Sequence, residues 1–248
     1  MEQRLIHYKE LDSTNAEIKR LVQQGKAVEG MVVLANKQTA GRGRHGRVWY
    51  SPENGSLYMS VFVRPDFDLA KAPMVTLLMA YGVASALQSC GIEAQIKWPN
   101  DLVISGKKIC GILTELHRHE DESSYLIIGV GLNISKEYLP AEMEDLATCI
   151  DWNEKDAPVF WARKIIEQFD MLYQRFLQEQ DLAFMKNEYN RILVNNNRKV
   201  RVLDPKGEYQ GTAHGIENDG SLRVKRETGE LEYVYSGEVS VRGVYGYV

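Results

Sequence analysis

Between Met74 and Cys90 the chain reads MVTLLMAYGVASALQSC, apolar nearly all round at helical spacing, and Gly91 follows as a stop signal. A helix without a polar face must be covered on all sides, so this stretch predicts a central core helix laid against a sheet. Strands for that sheet are legible on either side. MVVLAN and the alternating SLYMSVFV precede the helix, the second behind an Asn54-Gly55 turn signal. AQIKW, KICGILTEL and YLIIGVGLNI follow it, separated by polar turns at Ser105-Gly106 and HRHEDESS, which predicts an antiparallel meander.

LDSTNAEIKRLVQQG reads as a short helix, with a capping box from Thr14 to Glu17, an apolar stripe of Ile18, Leu21 and Val22, and Gly25 at its end. Residues 157–178 carry Phe160, Ile165, Phe169, Leu172 and Phe176 on one side of a long amphipathic helix, and DLAFMKNEYNRIL reads as another. From NNNRKVRVL onward the helical spacing stops. Short alternating strands broken at Asp204-Pro205, Asn218-Asp219-Gly220 and Thr228-Gly229 predict a small all-β barrel. The expected fold class is α+β: a mixed, largely antiparallel sheet with helices over residues 1–195, then a C-terminal β-barrel domain over residues 196–248.

A chain of 248 residues with 44% hydrophobic content can bury a sizeable core. No uninterrupted apolar run approaches the roughly 18 residues that span a bilayer, and MEQRLIHYKELDST lacks an apolar signal core. A cytoplasmic protein without a membrane partner is therefore expected. Cys90, Cys110 and Cys149 are odd in number and far apart, which predicts small buried hydrophobes rather than a disulfide framework or a zinc site. The net charge of -4 argues against a general nucleic-acid coat.

Against that acidic background, TAGRGRHGRVWYSP concentrates Arg42, Arg44 and Arg47 among Gly41, Gly43 and Gly46. The glycines match G-x-G-x-x-G. However, Pro52 and Asn54-Gly55 leave too few residues for the crossover helix of a dinucleotide-binding βαβ unit, and no Gly-Lys-Ser/Thr follows as a P-loop requires. Two readings remain: a solvated basic turn, or a flexible loop whose bare backbone approaches a ligand while guanidinium forks hold carboxylate or phosphate oxygens. Trp49 favours closure of the loop over something apolar.

In IKWPNDLVISGKKICGIL, Lys97 ends one strand, Pro99 forces a turn, Asn100-Asp101 start the next strand and Lys108 faces them across a hairpin. Either the lysines are solvated, or they raise the local positive potential while Asn100 or Asp101 offers an oxygen to a magnesium ion bridging phosphates. In GVGLN, period-two geometry puts Gly129, Gly131 and Asn133 on one face, free of side chains where a flat ligand can lie.

DSTN, KQTAGRGRHGRVWYSP, IKWPNDL, GKKICGIL and GVGLNI, in this order, resemble the biotin protein ligases, specifically the biotin-[acetyl-CoA-carboxylase] ligases, over nearly the whole chain. The resemblance implies a catalytic domain similar to class II aminoacyl-tRNA synthetases and a C-terminal SH3-like β-barrel. It implies that biotin and ATP, with Mg2+, give biotinyl-5'-AMP and pyrophosphate. The biotinyl group then passes to one lysine of a biotin carboxyl carrier protein domain. Carried over by motif, Ser13, Thr14, Asn15 and Gln38 line the biotin head, Arg42, Gly43 and Arg44 cover the carboxylate and phosphate, and Lys108 contacts both anionic groups. Trp49 packs on the biotin tail, and Gly111 belongs to the same set. Lys97, Asn100 and Asp101 lie towards the triphosphate and magnesium, with Asn100 as metal ligand, and Asn133 lies near the nucleotide.

The implied catalytic set is thus Arg42, Arg44, Lys97, Asp101 and Lys108. The ATP set is Arg44, Lys97, Asn100, Lys108 and Asn133. EDLATCI resembles a family segment near the adenine, and His45, which stands where many relatives have arginine, reads as a solvated loop residue. A lipoate or octanoyl ligase and a biotin-sensing repressor are the rival readings. The Lys-Trp-Pro-Asn-Asp run disfavours the first. For the second, DSTN begins at residue 12 and leaves no room for a DNA-binding domain, so DNA is not an expected partner. A homodimer is the assembly considered.

Overall fold

The computed structural model describes residues 5–53, 55–118, 123–154, 156–204, 207–236 and 240–243. Seven strands form the first sheet: β1 (Leu5–Leu11), β2 (Val32–Gln38), β3 (Ser56–Val63), β4 (Gln95–Lys97), β5 (Asp101–Ile104), β6 (Lys107–Arg118) and β7 (Ser124–Asn133). Their order is β1-β2-β3-β7-β6-β5-β4, parallel at β1–β2 and antiparallel elsewhere. The run from β4 to β7 is the expected meander. Strand β1 was not expected, because LIHYKEL is an edge strand whose half-buried pattern hides its alternation.

Helix α1 (Thr14–Gln23) supplies the crossover between the parallel pair. Its predicted capping box does not form. Ser13 holds the N-cap position without a side-chain cap bond, and Glu17 pairs instead with Arg20 and Tyr8. The first helical N–H, on Thr14, is satisfied from another element: it donates to Gln38 Oε1 at 2.9 Å.

The apolar stretch forms α2 (Ala72–Ser89), followed by α3 (Ala157–Glu179) and the short α4 (Lys186–Ile192). By length and composition alone, Leu69–Ser89 passes for a membrane-crossing segment; here its apolar surface is taken up by the sheet and α3. Period two divides the sheet. Leu57, Met59, Val61 and Val63 of β3, with Leu126, Ile128, Val130 and Leu132 of β7, enter the core beneath α2 and α3. On the other face Phe62 and Ile127 pack against Ile18 and Leu21 of α1. Since α1 is only 10 residues long, it covers one end of that face. Gly111, Gly131, Ser56 and Asn133 lie beyond it.

The C-terminal sheet comprises β8 (Lys199–Leu203), β9 (Tyr209–Ile216), β10 (Leu222–Arg226), β11 (Leu231–Val234) and β12 (Ser240–Gly243), in the order β11-β10-β9-β8-β12. The expected barrel is open among the described residues, where β11 and β12 are the two edges and do not pair. Its inner residues need no closed barrel to be covered: Val200, Val202, Ala213, Leu222 and Val224 belong to the same core cluster as α2 and α3. Trp98, 1% exposed, joins the two sheets, donating its Nε1–H to Gly220 O at 3.1 Å and its backbone N–H to Asn195 Oδ1 at 2.9 Å. Of the predicted turns, Asn54, residues 119–122 and Pro205 lie outside the described residues. Cys110 and Cys149 are buried, Cys90 is half-buried, and all three are free thiols.

Candidate active site

Strand register assembles the site. Lys97 pairs with Asp101, Asp101 with Gly111, Gly111 with Gly131, and Gly131 with Tyr58. Paired residues share a face, so one row crosses five strands, charged at one end and bare in the middle. The bare part is filled by the protein itself. A Cβ on Gly131 would sit 2.5 Å from Trp49 Cε2, and one on Gly111 2.8 Å from Trp49 Cζ3, so the indole lies directly on the backbone. Gly129 makes room for a different group, since a Cβ there would lie 2.5 Å from Asn15 Oδ1.

The glycine-arginine loop folds back on itself as a small hairpin. Arg42 bridges Val48, Gly43 N donates to Arg47 O at 2.7 Å, and Trp49 N donates to Gly41 O at 3.0 Å. At its tip His45 (φ 56°) and Gly46 (φ 72°) take the left-handed conformation, and the His45 side chain is exposed. Arg44 turns inward. Its Nη1 donates to Asn100 Oδ1 at 3.1 Å and its Nη2 to Ser236 O at 3.0 Å, so one guanidinium ties the loop to the meander and to the end of β11.

Positive charge converges beside this latch. Burial holds the Arg44 guanidinium below its ordinary pKa. Lys97, 6% exposed, is pushed down to about 8, mainly by burial and further by Lys108, Arg242 and Arg47, while Asp101 opposes the shift. Lys108 Nζ lies 2.7 Å from Asp101 Oδ1 and 5.1 Å from the centroid of the Trp49 ring. Among the described residues, five cations around one carboxylate leave a positive excess, which suits an anionic ligand.

Two lobes meet at Gly43, Arg44, Trp49, Asn100 and Lys108. The smaller, about 50 Å³, is walled by Ser13, Thr14, Asn15, Gln38, Arg42 and Gly111. The larger, about 740 Å³, includes Lys97, Asp101, Asn133, Tyr138, Leu146 and Arg242. Every residue assigned from sequence to biotin, ATP or catalysis therefore lies at this double pocket. The small lobe has room for a few ordered waters, each needing ~10–15 Å³ of it. A ring-sized ligand must displace the loop or the Trp49 indole.

Asn100 is an unsuitable metal ligand in this arrangement. Its Nδ2 donates to Ile112 O at 3.0 Å, and its Oδ1 already faces the Arg44 guanidinium, which repels a divalent cation. Among the described residues no group of three or more His, Cys, Asp or Glu side chains is placed to hold a metal. Asn133 is likewise engaged, donating from Nδ2 to Thr148 O at 3.0 Å.

Sequence reading missed four contributors. Arg201 and Arg242 stand directly opposite each other on β8 and β12, both at the large lobe. Nothing in KVRV or SVRG sets them apart from other strand residues. Ser60 and Glu115 lie in polar positions of β3 and β6 and reach the α1 side of the small lobe, which only the strand register could have revealed.

The profile of the Biotin/lipoate A/B protein ligase family matches residues 8–133, and that of the Biotin protein ligase C terminal domain matches residues 197–242. The bifunctional ligase/repressor BirA of Bacillus subtilis is 35% identical over 97% of this chain and 75% of that protein. The biotin--[acetyl-CoA-carboxylase] ligase of Mycobacterium tuberculosis is 35% identical over 56% of this chain and 51% of its own length. Biotin protein ligase from Aquifex aeolicus in complex with biotin and ATP superposes with a TM-score of 0.82 at 29% identity, covering 97% of this chain and 99% of that one. The chain belongs to the biotin/lipoate A/B protein ligase family.

Proposed function

We propose that this protein is a cytoplasmic, ATP-dependent biotin-[acetyl-CoA-carboxylase] ligase. The observation that carries the reading is the double pocket, whose small polar lobe and large cationic lobe meet at Arg44 and Lys108. Biotin takes the small lobe, its ureido head towards Ser13, Thr14, Asn15 and Gln38 and its tail along Trp49 and Gly111. ATP takes the large lobe, with Lys97, Arg201 and Arg242 facing its phosphates and Asn133 and Leu146 near the nucleoside. The match to a biotin protein ligase C-terminal domain over residues 197–242 favours biotin over lipoate.

The chemistry follows from charge. A biotin carboxylate oxygen attacks the α-phosphorus, a P–O bond forms, and the bond to the departing pyrophosphate breaks. Both partners are anions, so Arg42, Arg44, Lys97 and Lys108 reduce their repulsion and stabilise the charge that develops between them. The amine of a carrier-domain lysine then attacks the acyl carbon, forming an amide and releasing AMP and a proton. Asp101, paired with Lys108, is the carboxylate within the site that is placed to receive that proton. A magnesium ion accompanying the triphosphate would lower its charge further. The acceptor is a biotin carboxyl carrier domain, and neither DNA nor a membrane takes part.

Biotin-dependent exchange of labelled pyrophosphate into ATP tests the reading, with lipoate and octanoate as controls. Exchange driven by lipoate or octanoate in preference to biotin refutes it. Lys108→Ala should lower exchange by roughly 100-fold or more, the scale of losing one charge-stabilising group at the reacting centre. Near-normal exchange in that variant removes Lys108 from the catalytic set.

A further inference from the structure

Behind the small lobe runs a chain of buried polar groups that begins outside the pocket. Glu115, about one-quarter exposed on β6, accepts from Asn15 Nδ2 at 2.8 Å and is flanked by Lys19 Nζ at 3.6 Å and His117 Nε2 at 4.0 Å. Asn15 Oδ1 lies 2.5 Å from Ser60 Oγ, Ser60 Oγ lies 2.7 Å from Thr14 Oγ1, and Thr14 Oγ1 lies 3.2 Å from Gln38 Oε1. Asn15, Ser60 and Thr14 are 6%, 0% and 3% exposed, and Ser60, which lies off the pocket wall, has to be satisfied by its two neighbours.

Each hydroxyl has one hydrogen, and that fixes the direction of the chain. Asn15 turns its NH2 to the Glu115 carboxylate, so it presents a pure acceptor to Ser60. The Ser60 hydrogen must go to Asn15. Thr14 then donates its own hydrogen to Ser60 Oγ, and Gln38 Oε1 is supplied by the Thr14 backbone N–H at 2.9 Å. Thr14 Oγ1, on the wall of the small lobe, is left with lone pairs for the ligand. Without a fixed acceptor at 115, the Asn15 amide can turn over. Its NH2 would donate to Ser60 and Ser60 to Thr14, so that one Thr14 lone pair is taken from the ligand and the Thr14 hydrogen turns to Gln38 Oε1 or to the pocket.

We propose that Glu115 is a positioning residue for substrate choice: through Asn15 and Ser60 it sets Thr14 Oγ1 as an acceptor for a ring N–H of the ligand, as a cyclic urea provides. This rests on the assignment of biotin to the small lobe. Gly129 belongs to the same device, because only a residue without a Cβ leaves Asn15 Oδ1 its place beside Ser60.

The test uses the full-length protein and biotin-dependent pyrophosphate exchange, with biotin and its two ring mono-N-methyl derivatives as substrates. In Glu115→Ala the KM for biotin should rise about tenfold, the scale of one lost neutral hydrogen bond, with kcat changed far less because the urea is remote from the carboxylate. Discrimination against the more strongly rejected N-methyl derivative should shrink by a similar factor. Glu115→Gln, which keeps an acceptor for Asn15, should stay within about threefold of the parent. In a Thr14→Val background, Glu115→Ala should add nothing further. Circular dichroism melting checks that each variant is folded. An unchanged KM and unchanged N-methyl discrimination in folded Glu115→Ala overturn the proposal, as does a full additional effect in the Thr14→Val background. Failure of the parent to exchange with biotin at all would strike the assignment of the lobe instead.

Discussion

Arg44 should contribute more to holding the product of the first step than to making it. Two of its hydrogen bonds, 3.1 Å to Asn100 Oδ1 and 3.0 Å to Ser236 O, fasten the loop to both sheets. A charge-assisted bond nets ~1.5–3 kcal/mol, and a partly exposed guanidinium warrants the lower figure, so Arg44→Ala removes about 3 kcal/mol of closure. At 1.4 kcal/mol per factor of ten, the ratio of closed to open loop falls on the order of 100-fold. Arg44→Lys reaches one acceptor of the two and should fall about tenfold. Exchange should persist in both variants, because Lys97 and Lys108 remain at the reacting centre. Biotinyl-adenylate should escape and acylate lysines at random. Each variant would be incubated with ATP, biotin and an unrelated lysine-rich protein, then blotted for biotin, with labelling ranked Ala above Lys above parent. Bystander labelling at the parent's level in Arg44→Ala, while exchange continues, would show that the latch does not retain the intermediate.

Lys97 titrates near 8 in the folded protein and near ~10.4 when unfolded, so between these values the unfolded chain holds more protons and stability rises with pH, by up to about 3 kcal/mol. Adenylation should move the other way, kcat/KM falling as pH passes about 8 and Lys97 loses its charge, with the limb displaced upward under saturating ATP. Chemical unfolding and exchange rates measured from pH 7 to 10 check both; parallel curves would contradict the opposition. In Gly131→Ala, a methyl 2.5 Å from Trp49 Cε2 must lift the indole by about 1 Å to reach ordinary contact, at a cost of ~1–3 kcal/mol. The indole should become more accessible to acrylamide quenching and the biotin KM should rise; an unchanged Trp49 environment would mean that the backbone yields instead.

Elements with extreme patterns were readable from sequence. The all-round apolar α2 could only be a core helix, and the runs that became β6 and β7 read as strands of a meander. The glycine-arginine loop and the Lys97–Asp101 hairpin were visible because both depend on neighbours in the chain. What escaped notice depends on partners far away. Trp49 was expected over an apolar surface, but that the surface is the backbone of Gly111 and Gly131 follows from the β6–β7 register. Thr14 looked like a helix cap because its nearest sequence partner is Glu17; the fold gives it Gln38 and Ser60 instead. Glu115 carries no signal of its own in KICGILTEL; its role depends on Asn15, which α1 brings to it. The barrel was inferred from alternating strands and turn residues, which do not reveal that the inner face is covered by the main core.

That shared covering changes what a seam in the sequence means. The composition shift near residue 196 invites a cut there, whether by protease, by gene fusion or by recombination with a relative. Yet the indole of Trp98 reaches Gly220, and Val200, Val202 and Leu222 lie in one core with α2. A break at that point would leave an apolar wall open to water on both fragments. The unit that can be transplanted or inherited intact is therefore the pair of sheets together, and replacing one half requires a partner whose buried face has been fitted to the other.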